Sequence, residues 1–91
     1  MAWTIKIDPR AAKQFDKLDR QTANRLRDFL RDRVAPLDDP RRLGKALQGS
    51  RFGAFWAYRV GDYRIICDLQ DNRLIVLVVA LGNRREVYSR R

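Results

Sequence analysis

The 91-residue sequence contains no histidine and only one cysteine, Cys67. A single cysteine cannot form an internal disulfide, and without histidine it leaves no typical set of metal ligands. These absences exclude a disulfide-stapled fold and catalysis by a pair of histidines, and we predict neither a metal nor any other cofactor. Because Cys67 lies within an apolar run, a reducing compartment is expected.

Long apolar runs are also lacking. The longest extends from Leu74 to Leu81 and has eight residues, whereas a membrane-spanning helix needs about 20. Residues Met1 to Lys6 show no charged region followed by an apolar stretch, so a signal peptide is not expected. The sequence therefore predicts a cytoplasmic protein with no membrane partner, folded as a single domain over residues 1–91.

Acidic residues are the minority among the charged residues. Twenty Lys and Arg stand against eleven Asp and Glu, which gives a formal charge of +9. Residues 1–40 carry nine basic and seven acidic residues (+2), and residues 41–91 carry eleven and four (+7). The C-terminal half is therefore expected to attract a polyanion or an acidic partner. A membrane surface is less favoured because the basic residues do not line one face of a single helix.

A hairpin is the strongest local signal in the sequence. Two runs of β-branched and aromatic residues flank Gly61-Asp62, a pattern typical of a two-residue loop. This loop sets Arg59 directly opposite Arg64, and like charges in that position destabilise a sheet. We interpret the pair as a site for an anion such as phosphate, since a guanidinium group matches phosphate oxygens. The alternative is that both side chains extend into water.

The order of elements predicts an α+β fold. Residues 2–7 alternate as a strand, Asp8-Pro9 begins a first helix, and Asp19 begins a second that ends before Pro36. A polar loop over residues 38–53 precedes three antiparallel strands. We predict a four-stranded sheet in the order 1-4-3-2 with the two-helix hairpin packed on one face.

A second turn at Asp71-Asn72 would place Cys67 opposite Val76 and Arg64 opposite Val79. Side-chain alternation then assigns a mixed basic and apolar set to the face away from the helices. Such a face is typical of a binding surface. Its principal members are Arg59, Arg64, Ile66, Ile75 and Leu77. Trp56 and Tyr58 are expected in the core, whereas Phe55 either stacks on a base or packs under a loop. In the preceding loop, Arg41, Arg42, Lys45 and Arg51 either follow a nucleic-acid backbone or simply increase solubility.

Three segments resemble the RelE branch of the RelE/ParE toxin superfamily: residues 43–49 (LGKALQG), 58–66 (YRVGDYRII) and 82–88 (GNRREVY). The order of strands and helices resembles that superfamily as well. The resemblance implies a toxin of a type II toxin-antitoxin pair that cleaves mRNA in the ribosomal A site and is neutralised by a cognate antitoxin. The chain differs from the best-known members at Phe55 and Ala57, where they carry lysines, and at Asn83, where many carry histidine.

The resemblance also implies roles for individual residues. Arg64 corresponds to the phosphate-binding arginine, Arg84 to the arginine after the last strand, and Tyr88 to the proposed general base. We expect these three to be catalytic, without a metal. Further basic residues are expected to bind the substrate: Arg59, Arg85, Lys45 and Arg51. The apolar residues Ile66, Ile75 and Leu77 are the expected contacts for an acidic antitoxin segment.

Other interpretations remain open at this point. A ParE-like toxin would inhibit DNA gyrase by binding, without nuclease activity, and a simpler basic module would only bind RNA or DNA. The C-terminal arginines could equally form an ordinary basic tail, with Tyr88 seating the end of the chain on the sheet.

Overall fold

The structure is a computed structural model that describes residues 2–47 and 55–83. It contains two helices and five strands, so the α+β class is confirmed. The helices are α1 (Pro9–Asp16) and α2 (Arg20–Phe29), and the strands are β1 (Thr4–Ile7), β2 (Lys45–Ala46), β3 (Trp56–Val60), β4 (Tyr63–Gln70) and β5 (Ile75–Asn83). A π-helical turn, Leu30–Val34, continues α2, and a short 3₁₀ turn spans Pro40–Arg42. No helix in the described ranges has the length and apolar character needed to cross a membrane.

Both helices begin where the sequence predicts. Asp8 is extended and its carboxylate accepts a hydrogen bond from the Arg10 N–H (2.8 Å), with Pro9 in the first turn. Asp19 caps α2 in the same way through the Thr22 N–H (3.1 Å). These carboxylates satisfy backbone donors that the first helical turn leaves without partners. The inward faces of the helices bury Ala11, Phe15, Ala23 and Leu26.

The sheet has the strand order β1-β5-β4-β3-β2. Its first four members reproduce the predicted order 1-4-3-2, with β1 parallel to β5 and the other pairs antiparallel. The prediction of only four strands is wrong, because β2 adds a fifth strand at the edge beside β3. Two residues are too few to show the alternation by which a strand is recognised in a sequence.

Gly44 explains how this edge strand forms. Its backbone has φ of +71°, and a Cβ at this position would collide with the carbonyl oxygen of Ala57. Glycine alone accepts this backbone without strain and leaves space for the contact. The segment can therefore reach β3, where Lys45 pairs with Ala57.

The β3–β4 hairpin has the predicted register, with Arg59 opposite Arg64 and Val60 opposite Tyr63. Gly61 has φ of +60° at the first loop position, as expected for a turn whose twist matches that of the strands.

The predicted β4–β5 register is wrong. The turn covers residues 71–74 rather than two residues, and Leu74 takes a left-handed backbone (φ 54°). A bulge between Ile66 and Cys67 shifts the pairing again, so that Cys67 faces Val78 and Arg64 faces Gly82. A bulge inserts one residue without changing the apolar composition of the strand, which hides it from pattern analysis.

The main core lies between the helices and one face of the sheet. It combines helix residues with the β3, β4 and β5 side chains that point toward them: Tyr58, Val60, Ile65, Cys67, Leu69, Val76, Val78 and Leu81. A smaller cluster of Leu47, Ala57 and Ile66 lies on the other face. The helices therefore cover one face of the sheet, as predicted, and the second face remains available for a site.

Candidate functional site

We call the sheet face away from the helices the open face. Residues that pair across neighbouring strands point to the same face. One row across the strands consists of Arg59, Arg64 and Gly82, and the next row, further from the hairpin loop, consists of Lys45, Ala57, Ile66 and Ala80. Lys45, Arg59 and Arg64 thus lie on one face of three adjacent strands, although they are distant in sequence.

The basic end of the open face lies beside the hairpin loop. Lys45 and Arg59 are exposed, and Arg64 is half-buried. The Arg59 Nε lies 3.5 Å from the carbonyl oxygen of Gly61, so this side chain leans toward the loop. The Val60–Tyr63 pair closes the two-residue loop. Arg59 and Arg64 form the next pair, which is a non-hydrogen-bonded pair, and opposed Cα atoms in such a pair are about 4.5 Å apart. On the other side of Arg64, Gly82 adds no side chain. This arrangement can hold a phosphate between two guanidinium groups.

Four of the predicted site residues, Arg51, Arg84, Arg85 and Tyr88, lie outside the described residues. The last described residue of β5 is Asn83, which pairs with Tyr63 next to the hairpin loop. The strand therefore ends at the basic end of the open face.

The apolar residues predicted for the open face fall into two groups. Ile75 and Leu77 are half-buried, and Leu77 lies between Lys6 of β1 and Asp68 of β4. Ile66 differs from the expectation, because its side chain is fully buried with Leu47 and Ala57. The edge strand that the sequence reading missed leads directly to Leu47, so Ile66 has no surface to offer a partner in this conformation.

The two loop arginines Arg41 and Arg42 have different surroundings. Arg41 donates two hydrogen bonds to the Asp71 carboxylate (2.9 and 2.8 Å) and contacts Asp39 at 3.4 Å. This guanidinium lowers the pKa of the Asp71 carboxyl from its ordinary value of 3.8. Arg41 therefore ties the loop to the β4–β5 turn, whereas Arg42 is exposed.

The aromatic residues of β3 serve the fold, as the sequence predicts for Tyr58. The Tyr58 hydroxyl donates to the Pro40 carbonyl (2.8 Å), and burial raises the pKa of this phenol. The Trp56 indole donates to the Leu43 carbonyl (2.6 Å). Phe55 packs against the smaller cluster on the open face. The indole and the phenol anchor the segment that leads into β2, and so they help to hold Lys45 in its row.

Two residues near the hairpin end were missed by sequence reasoning. The Arg25 guanidinium of α2 lies beside Gly61, within 3.1–3.4 Å of the position that a Cβ would occupy. The Gln14 side chain of α1 accepts a hydrogen bond from the Leu81 N–H of β5 (2.8 Å). Neither residue departs from the pattern of a solvated helix face, so no signal in the sequence distinguishes them.

Solved structures with the same arrangement define the class of fold. A chain of the RelBE2 toxin-antitoxin complex from Mycobacterium tuberculosis has a TM-score of 0.83 at 20% identity, covering 92% of this chain and 93% of that one. The free state of a double arginine-to-alanine variant of Escherichia coli toxin RelE has a TM-score of 0.74 at 27% identity, covering 98% and 93%. The fold is therefore that of RelE toxins.

Sequence comparison identifies the family. The family model described as the ParE toxin of the type II toxin-antitoxin system, parDE, matches residues 5–88. The mRNA interferase toxin RelE of Escherichia coli K12 is 31% identical over 91 residues, which cover 98% of this chain and 93% of the relative. This chain belongs to the RelE/ParE superfamily and is a toxin of the type II toxin-antitoxin class.

Proposed function

We propose that this toxin is a ribosome-dependent endoribonuclease that cleaves mRNA in the ribosomal A site and thereby stops translation. The observation that carries the proposal is the alignment of Lys45, Arg59 and Arg64 on one face at the end where β5 finishes. Three cations on adjacent strands suit the closely spaced charges of an RNA backbone. The similarity to an mRNA interferase at 31% identity supports the same reaction.

The proposed chemistry is attack of an RNA 2′-hydroxyl on the adjacent phosphate. Tyr88 removes the hydroxyl proton, the 2′-oxygen bonds to phosphorus, and the 5′-oxygen leaves with a proton donated by Arg84. Arg59 and Arg64 stabilise the negative charge that develops on the phosphate oxygens. The products are a 2′,3′-cyclic phosphate and a 5′-hydroxyl end, and no metal takes part.

The residues assigned to proton transfer explain the dependence on the ribosome. A phenol has an ordinary pKa of about 10 and an arginine one above about 12, so both exchange protons inefficiently near neutrality. As a general rule, a guanidinium group close to a phenol favours the phenolate. A ribosome that holds the mRNA in line for attack would supply much of the missing rate.

The proposal includes a cognate antitoxin as the neutralising partner. Structures similar to this chain include toxin-antitoxin complexes, and one of these, at 26% identity, contains Escherichia coli RelE with an antitoxin peptide. On the open face, the cations lie near the hairpin loop, and half-buried Ile75 and Leu77 offer apolar area toward the opposite end of the sheet. An acidic segment with apolar residues is the chemistry that fits this surface.

The ParE-like alternative predicts a different result in cells. The family model that matches bears the ParE name, but a relative that matches nearly the whole chain is an mRNA interferase. Expression of the chain separates the two. Loss of protein synthesis with mRNA cut inside reading frames supports the nuclease, whereas DNA-damage signalling with intact mRNA supports gyrase inhibition.

The decisive experiment maps mRNA ends after purified toxin is added to translating ribosomes. Arg64→Ala should reduce cleavage about 10²-fold or more, as loss of a donor to a developing oxyanion does. Tyr88→Phe should also reduce it about 10²-fold or more, as loss of a general base does. Arg73→Ala is the matched control, because Arg73 is exposed in the turn at the opposite end of β4.

A folded Arg64→Ala protein with unchanged cleavage would contradict the assignment of the site. Uncut mRNA with the wild-type toxin would remove the proposed function altogether.

A further inference from the structure

The hairpin loop at Gly61 is contacted by cations from both layers of the molecule. From the helix layer, the Arg25 guanidinium places Nη1, Nη2 and Cζ at 3.1, 3.2 and 3.4 Å from the position of a Gly61 Cβ. On the open face, the Arg59 Nε is 3.5 Å from the Gly61 carbonyl oxygen. Because both groups lie next to one residue, standard bond lengths place the two guanidinium groups within about 10 Å of each other.

The setting of Arg25 differs from those of Arg27 and Arg31 in the same helical segment. Arg31 is held between Asp28 (3.0 Å) and Asp32 (2.8 Å), and Arg27 lies over the Phe15 ring at 4.7 Å. Arg25 is exposed and makes no hydrogen bond or ion pair within residues 2–47 and 55–83, not even with Asp62 of the neighbouring loop. Its guanidinium is therefore placed against the hairpin but keeps its donors available.

Gly61 is suited to this approach for two reasons. Its left-handed backbone closes the loop, and the missing Cβ leaves room for the flat guanidinium group. The result is three positive charges, those of Arg25, Arg59 and Arg64, around a loop whose own acidic residue is the exposed Asp62. Such a group is unfavourable by itself and becomes favourable when an anion lies across it.

We propose that Arg25 binds an RNA phosphate and extends the anion-binding surface from the open face around the hairpin loop to the helix layer. The proposal rests on the function proposed above in taking RNA as the ligand. A single strand held by Arg59 and Arg64 on one side of the loop would pass over the loop and meet Arg25 on the other. Arg25 contacts the backbone away from the reacting phosphate, so it contributes to affinity and not to chemistry.

The test measures binding of a fluorescein-labelled single-stranded RNA by anisotropy over a range of salt concentrations. Arg25→Gln removes the charge and keeps a good helix former. It should weaken binding about five-fold near 0.1 M salt and reduce the slope of log affinity against log salt by about 0.7, the value for one lost phosphate contact on a single strand. Arg25→Lys keeps the charge and should restore most of the affinity and the slope.

Arg33→Gln is the matched control. It removes the same charge from an exposed position eight residues further along, about 12 Å along a helix axis. It should leave affinity within about two-fold and the salt slope unchanged, because a distant charge is screened. Equal effects of Arg25→Gln and Arg33→Gln, or no effect of Arg25→Gln, would overturn the proposal.

Three further readouts keep the result unambiguous. Unchanged thermal unfolding of Arg25→Gln would show that weaker binding does not come from lost structure. If the melting temperature of Arg25→Gln does shift, recovery of binding by Arg25→Lys would show that the charge is responsible. A synthetic acidic peptide is titrated in parallel, and loss of peptide binding with unchanged RNA binding would overturn the proposal in favour of a protein ligand. Cleavage by the wild type on translating ribosomes is scored separately, so its absence refutes the nuclease while the binding data still decide the role of Arg25.

Discussion

The two faces of the sheet differ in what they contribute, although the same strands build both. Ile65 and Ile66 are neighbours on β4, and both are fully buried. Ile65 belongs to the main core under the helices, whereas Ile66 belongs to the small cluster on the open face. The helix-covered face supplies most of the apolar burial, and the open face carries the row of cations. Alternate residues of one strand therefore point to the main core and to the face that we propose for binding.

Three matched substitutions test this division most strongly. Ile65→Ala should lower the free energy of unfolding by about 2–5 kcal/mol, the range for a large-to-small change in a closed core. Ile66→Ala should cost about 2–3 kcal/mol, since its cluster is smaller, and Ile75→Ala on the half-buried part of the open face less than about 1.5 kcal/mol. Urea unfolding of the three variants gives the order. Equal losses for Ile65→Ala and Ile75→Ala would show that the open face contributes as much stability as the covered one.

Replacing Gly44 or Gly61 by alanine tests how much each left-handed glycine contributes to stability. Gly44→Ala should cost about 2–3 kcal/mol, because the strain of a left-handed backbone, about 1–2 kcal/mol, adds to a collision with the Ala57 carbonyl. Gly61→Ala meets only the movable Arg25 guanidinium and should cost about 1–2 kcal/mol. The two unfolding curves are compared directly. A larger loss of unfolding free energy for Gly61→Ala than for Gly44→Ala would mean that the edge strand moves to accommodate a Cβ more easily than the Arg25 side chain does.

The smallest effect is expected where Arg41 pairs with Asp71 at the end of the sheet away from the hairpin loop. Hydrogen bonds from Arg41 lower the pKa of the Asp71 carboxyl below 3.8 in the folded protein. The ionised carboxylate therefore contributes stability above this pH, and the contribution is lost as the pH falls through the lowered folded pKa. Unfolding of wild type, Arg41→Gln, Asp71→Asn and the double variant at several pH values measures the coupling.

We expect this coupling to be small at neutral pH, because the Asp71 side chain is 66% exposed. It should vanish in acid below the lowered pKa. A coupling that persists in acid would show that Arg41 holds the turn through contacts other than the Asp71 charge.

The two hairpins show how far sequence patterns reach. Gly61-Asp62 predicts the β3–β4 register because a short loop with glycine at its first position leaves few alternatives. Asp71-Asn72 has similar turn residues, yet the turn closes over four residues and a bulge follows at Ile66 and Cys67. Every position from Leu74 to Leu81 is apolar, so a shift in register leaves the pattern unchanged. The pairing of Arg64 with Gly82 could not be predicted for this reason.

Residue chemistry along the chain was enough to determine the helix starts at Asp8 and Asp19, the opposed Arg59 and Arg64, the helix-covered face and the resemblance to RelE. These features depend on neighbours in sequence or on alternation. Only the tertiary structure decided that Lys45 lies on the same face as Arg59 and Arg64, that Ile66 is covered and that Arg25 reaches the hairpin loop. Each of these features depends on a contact between segments that are distant in sequence. Shape and backbone geometry set such a contact, and local residue preferences do not predict it.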